Sequence, residues 1–194
     1  MSDADPRPIL RGERVYLRPA EQEDVELFAQ WMNDADFVET LGGRGPLSIG
    51  AEQTWFDELQ KDQGKRRWHF VVCLRDDERP FGVIALESVD LLNGSAELGL
   101  GIADRSLWDQ GYGTEATCVI LDFGFGELRL HRVLLHVFDG NDRARHVYQK
   151  LGFVHEGTER ETLYRHGRHM DVHLMGILRS EWEAQDQVRT WELD

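Results

Sequence analysis

The sequence is short of three things. Of 194 residues only two are cysteine and five proline, and bases are scarce, with 22 Lys and Arg against 36 Asp and Glu for a net charge of −14. Two cysteines cannot staple a chain of this length, so the disulfide frameworks of small secreted domains are excluded and an apolar core must supply stability. Cys73 and Cys118 each sit in an apolar run, where a buried free thiol is expected. The shortage of bases argues against nucleic acid as a partner, because phosphate backbones attract basic surfaces. No apolar run approaches the ~20 residues that cross a bilayer, and the polar start carries no apolar stretch of a secretory leader. No membrane partner is expected, and a cytoplasmic location is.

What is present fits one globular domain, with 41% hydrophobic and 30% charged residues. We expect a flexible segment at 1–12, a folded domain at 13–180 and a tail at 181–194. The negative charge is uneven. Residues 1–60 hold 13 acids and 5 bases (net −8), and the rest hold 23 acids and 17 bases (net −6). Such an acidic third, with Asp34, Asp36 and Glu39 before a glycine-rich loop at 42–46, either steers a cationic acceptor or is a solvated surface.

Periodicity gives the elements. Val15 and Leu17 alternate as a first strand. Val25, Phe28, Trp31 and Met32 have helical spacing, and Trp55, Phe56 and Leu59 mark a second helix capped by Ser48. Residues 68–74, 81–86 and 96–103 read as an antiparallel meander, with Asn93-Gly94 as a hairpin turn. Ala116, Val119, Ile120 and Phe123 then open a helix near Gly113, and 133–138 is a nearly unbroken apolar run, as expected of a central strand buried on both faces. Ala144, Val147, Tyr148 and Leu151 form a helix that Asn141 caps and Gly152 ends. Two strands, near 153–164 and 170–178, complete an α/β (α+β) domain.

Two stretches carry chemistry. Gln110-Gly111-Tyr112-Gly113-Thr114 joins a strand to a helix. Glycines there allow positive φ and close approach, so loop and first-turn amides can converge on an anion such as pyrophosphate. The alternative is a tight turn that binds nothing. Gly111-x-Gly113-x-x-Ala116 also matches a dinucleotide fingerprint, but its candidate ribose ligand, Asp139, lies 26 residues beyond Gly113 rather than about 20, and a meander precedes it. The second stretch places Asn141 and Tyr148 seven residues apart, on one helix face.

Asn141-x-x-Ala144-x-x-x-Tyr148-x-Lys150-Leu151-Gly152-Phe153 resembles the strand-helix-strand signature of the GNAT superfamily of N-acetyltransferases, and the glycine turn resembles that family's pyrophosphate loop. The family usually has Gln or Arg three residues before the first glycine, where this chain has Trp108. Tryptophan there is similar to the subgroup of ribosomal-protein N-terminal and spermidine acetyltransferases. The resemblance implies one GNAT-like domain with a mixed central sheet of about seven strands and helices on both faces. It implies acetyl-CoA as cosubstrate and a primary amine as acceptor, and a homodimer, since the subgroup is often dimeric. It further implies that backbone near Leu100, Gly101 and Ile102 holds the pantetheine and thioester, where the strand splays from its neighbour. Gln110, Gly111, Tyr112, Gly113 and Thr114 would bind the pyrophosphate and Asn141 would contact the pantetheine. Tyr148 would be the general acid for the departing thiolate, and Glu97 is the candidate base, directly or through water.

Two rival readings stay open at this point. His169, Asp171 and His173 alternate along a strand and present two imidazoles and a carboxylate to one side, as in a facial iron triad. The resembled subgroup carries an Asp at the place of Asp171 without metal, so no metal is expected. The other rival is a non-catalytic acetyl-CoA sensor, against which the intact Asn141 and Tyr148 argue.

Overall fold

Side-chain alternation along the strands sorts the apolar residues into two layers. In the computed structural model, which describes residues 9–41, 43 and 45–193, Phe70, Val72 and Leu74 join one core while Val71 and Cys73 join the other. Of the expected segment 1–12, residues 1–8 lie outside the described residues, as do Gly42 and Arg44 of the loop at 42–46.

Among the described residues eight strands make one sheet: β1 (Leu10–Arg11), β2 (Val15–Pro19), β3 (Trp68–Leu74), β4 (Pro80–Asp90), β5 (Ser95–Ile102), β6 (Arg132–Phe138), β7 (Val154–Arg165) and β8 (Arg168–Leu178). Their order is β1-β2-β3-β4-β5-β6-β8-β7. The strand beyond the expected seven is β1, two residues that no periodicity can announce. All pairings are antiparallel except β5 with β6, which is parallel and runs only from Ser95↔Arg132 to Glu97↔Leu134.

Helices cover both faces. α1 (Val25–Trp31) and α3 (Ile49–Asp62) bury Val25, Phe28 and Phe56 against Val71 and Cys73. Between them α2 (Ala35–Leu41) is a seven-residue helix absent from the periodicity reading, because Phe37 is its one buried side chain. On the other face α4 (Tyr112–Asp122) and α5 (Asp142–Lys150) pack Val119, Ile120 and Tyr148 into the larger core. Caps form as expected. Ser48 Oγ accepts from Ala51 N at 3.1 Å, Asn141 Oδ1 accepts from Ala144 N at 3.2 Å, and Gly152 ends α5 at φ +92°.

The hairpin expected at Asn93-Gly94 forms and joins β4 to β5. Gly94 takes a positive φ of +67°, and four residues form the connection. Asp90 Oδ1 accepts from the amides of Leu92 and Asn93, at 2.9 and 3.0 Å, and so widens the turn. At the far end, α4 relaxes into a π turn over Phe123–Glu127. Beside it α6 (Arg179–Glu183) buries Trp182, whose indole donates to Asp122 Oδ1 at 2.9 Å. Cys73 and Cys118 are both free thiols, and burial pushes the Cys118 thiol up to about 11, so both are expected to stay protonated and unreactive. Among the described residues no helix is long and apolar enough to cross a membrane.

Candidate active site

The short parallel pairing makes the site. Beyond Glu97↔Leu134 the strands β5 and β6 diverge, and the wedge between them opens into a cavity of about 400 Å³. Ladder alternation says which β5 groups face it. Ala103 donates to the Phe81 carbonyl at 2.8 Å, while the Ile102 carbonyl accepts from the Trp108 indole at 3.0 Å. Ile102 and Leu100 therefore direct their backbone groups away from β4, toward the wedge, and Gly101 directs its own toward β4. Added at Gly101, a Cβ would lie 2.8 Å from Leu41 and Phe37 of α2. Gly101 is thus where a helix seats on the sheet.

The glycine turn forms the second wall. Gly111 caps α4 at φ +84°, and Gly113 and Thr114 occupy the first turn, so their amides have no intrahelical acceptor. Three contacts hold this loop. Trp108 pins it to β5 by its indole N–H. From the start of β2, Arg14 donates to the Gln110 carbonyl at 3.0 Å, pairs with Glu115 at 2.9 Å and lies over the Tyr112 ring at 4.4 Å. From α5, Arg143 lies 4.4 Å from the centre of the Trp108 ring and pairs with Asp109 at 3.1 Å. Trp108 therefore carries a guanidinium on its face at the place where the resembled family has Gln or Arg.

Of the expected site residues, Glu97, Leu100, Ile102, Gly111, Gly113, Thr114, Asn141 and Tyr148 line the cavity. Gly101, Gln110 and Tyr112 turn elsewhere: to α2, to the Ser106 carbonyl, and to Phe81, with ring centres 5.8 Å apart. The Tyr148 ring packs against Phe153 in the core on the α4 face, with centres 5.5 Å apart, and burial pushes its phenol well above the usual range. Glu97 projects on the opposite, α2 face, in register with Leu134. There its Oε1 meets His136 Nδ1 at 2.8 Å, a partner that the sequence reading missed.

The three acids expected to receive a cation are already engaged. Asp34 Oδ1 accepts from Phe37 N at 2.9 Å, Asp36 pairs with Arg105, and Glu39 pairs with Arg165 at 3.2 Å and His166 at 3.0 Å. The residues of the iron-triad reading separate as well. His169 Nδ1 bonds the Glu161 carbonyl, Asp171 accepts from Glu161 N, and His173 Nε2 bonds Asp139 at 2.7 Å. Among the described residues no three His, Cys, Asp or Glu side chains are placed to hold a metal.

Comparison with known proteins agrees with this geometry. The family model described as "Acetyltransferase (GNAT) domain" matches residues 14–154. The chain is 34% identical over 162 residues to the spermidine N(1)-acetyltransferase of Vibrio cholerae, covering 77% of this chain and 90% of that one. To the "Putative ribosomal N-acetyltransferase YdaF" of Bacillus subtilis it is 36% identical over 104 residues, 54% of this chain and 56% of YdaF, so that match spans about half of the relative's length. Its fold superposes on the crystal structure of spermidine N-acetyltransferase from Vibrio cholerae in complex with CoA and spermine with a TM-score of 0.81 and 26% identity, over 89% of this chain and 99% of that chain. The wedge in the sheet, the glycine-capped helix and the matched family model place this chain in the GNAT family of acetyltransferases, enzymes that take their acetyl group from acetyl-CoA.

Proposed function

We propose that the chain acetylates a cationic primary amine, a polyamine or a basic peptide N-terminus, by direct attack in a ternary complex. The observation that carries this is the pair Glu97 and Tyr148, set on opposite faces of the sheet and joined by the gap between β5 and β6. The site fits acetyl-CoA: amides at a helix start suit a pyrophosphate, and an unpaired β5 edge suits the amides of a pantetheine arm. The backbone of Gly111, Gly113 and Thr114 would receive the former. Leu100, Ile102 and Asn141 would receive the latter.

An alkyl ammonium of pKa about 10 is inert until it loses a proton. Glu97 takes that proton, directly or through water. The freed nitrogen bonds to the carbonyl carbon and the C–S bond breaks. Tyr148 gives its phenolic proton to the leaving sulfur, the second proton lost from nitrogen as the amide forms restores the phenol, and the proton held by Glu97 passes to solvent. Burial keeps the Tyr148 phenol protonated between turnovers.

The names of the relatives support a polyamine. So does the cavity lining: of its two carboxylates, Asp109 is held by Arg143, while Glu97, bonded through one oxygen to His136, keeps the other to meet an ammonium. Spermidine should have a kcat/KM above that of a basic peptide amine and well above that of a neutral amino sugar, and added salt should lower it. A preference for the neutral acceptor, or indifference to salt, rejects a cationic acceptor.

Gly113→Val tests the cofactor side. We expect at least about tenfold weaker CoA binding by calorimetry, ~1.4 kcal/mol. The fold should survive, since a Cβ at Gly113 meets Leu100 at an ordinary 3.4 Å. At Gly111 the same change would mix lost binding with the strain of a φ of +84°. Unchanged affinity in Gly113→Val removes the loop from the CoA site.

A further inference from the structure

We infer that His136 is the positioning residue of the base, an assignment that rests on the acetyltransfer reading above. His136 is the one polar side chain facing outward in the middle of β6, two residues past the last register pair with β5. It sits where the two strands begin to separate, and both it and Glu97 line the cavity. Its Nδ1 lies 2.8 Å from Glu97 Oε1. A carboxylate can only accept, so Nδ1 carries the hydrogen and donates it. This leaves Oε2 of Glu97 with no protein partner among the described residues. The side chains of Glu97 and His136 are 39% and 35% exposed, enough to pass a proton to solvent yet too open for burial to fix them.

These facts divide the work between the two residues. Free to rotate, a half-exposed glutamate would spread its carboxylate over several rotamers. The imidazole clamps one oxygen and so turns the other toward the incoming ammonium. In this division His136 acts through Glu97 rather than on the acceptor. It acts by fixing where the proton is taken, and a misplacement of about 1 Å can cost on the order of 10²-fold in rate.

The test compares His136→Ala, His136→Asn and Glu97→Gln with the wild-type enzyme. Asparagine can present an amide N–H near the place of Nδ1 and should restore much of the activity. With spermidine, His136→Ala should lower kcat about tenfold to a hundredfold, leaving KM and the calorimetric affinity for CoA within about twofold. With a fluorinated ethylamine, which is largely unprotonated at neutral pH, the loss should shrink to a few-fold, because the base has little left to do. Nitrogen-15 NMR of the free protein should find His136 protonated at Nδ1. Equal losses with both amines, no rescue by asparagine, or a ring protonated only at Nε2 overturns the assignment. If Glu97→Gln lowers kcat while His136→Ala does not, His136 alone is discarded. Full turnover of Glu97→Gln with spermidine discards Glu97 as base, and His136 with it.

Discussion

Tyr148→Phe is expected to lower kcat by about 10²–10⁴ while leaving the affinity for CoA nearly unchanged. The substitution removes one oxygen and keeps the ring, so the edge-on contact with Phe153, centres 5.5 Å apart, is retained. The residue is 7% exposed and lines the cavity, where the proposed acid role places the missing hydroxyl. Burial raises its pKa, which at first sight makes it a poor acid for a thiolate. In the proposed reaction, however, the thiolate forms in the same cleft, where burial would penalise its charge in the same way and bring the two proton affinities closer. Measuring kcat beside a calorimetric Kd for CoA separates the two effects. A variant with full turnover would show that another group, or water, protonates the sulfur.

The largest stability effect is expected from Trp182→Ala. Trp182 is 1% exposed, packs on Phe125 with ring centres 6.4 Å apart, and lies beneath Arg189 at 5.2 Å. Truncating a buried tryptophan costs about 3–5 kcal/mol. It also removes the indole N–H from Asp122, a 2% exposed carboxylate that holds Thr190 N at 2.8 Å. For a chain of this size roughly 2–4 °C of Tm is lost per kcal/mol, so calorimetry should show Tm falling by roughly 6–20 °C. Trp182→Phe should lose less, since most of the packing remains. A fall below about 3 °C for Trp182→Ala would mean that the packing of α6 contributes little to the fold.

The sequence made legible what is local. The caps at Ser48 and Asn141, the end of α5 at Gly152 and the glycine turn each depend on a few neighbouring residues, and each stands where it was expected. Contacts between distant segments were not legible. Arg14 and Glu115 are 101 residues apart, and nothing at either end announces the other. His136 stood inside an apolar run whose continuity was the signal being read. A single polar residue on the outward face of such a strand was the available clue, and Glu97 was needed to give it meaning. Trp108 stood out as a departure, but its indole bond to Ile102 and the guanidinium on its face depend on three elements meeting. The acids Asp34, Asp36 and Glu39 were visible as charge, whereas the arginines that pair with Asp36 and Glu39 lie 69 and 126 residues away.

The wedge between β5 and β6 is also an unpaired strand edge, and its place is unusual. Such edges normally lie at the perimeter of a sheet, where they invite another chain to add on and aggregate. Here the edge lies in the interior of the sheet, walled by Thr40 and Leu41 of α2 on one side and by Ala144 and Val147 of α5 on the other. Walled in this way, it offers an adding strand no open flank. In the proposed reading a thin arm carrying its own amides still reaches it, so the unpaired backbone is open to the cosubstrate and shielded from copies of the chain.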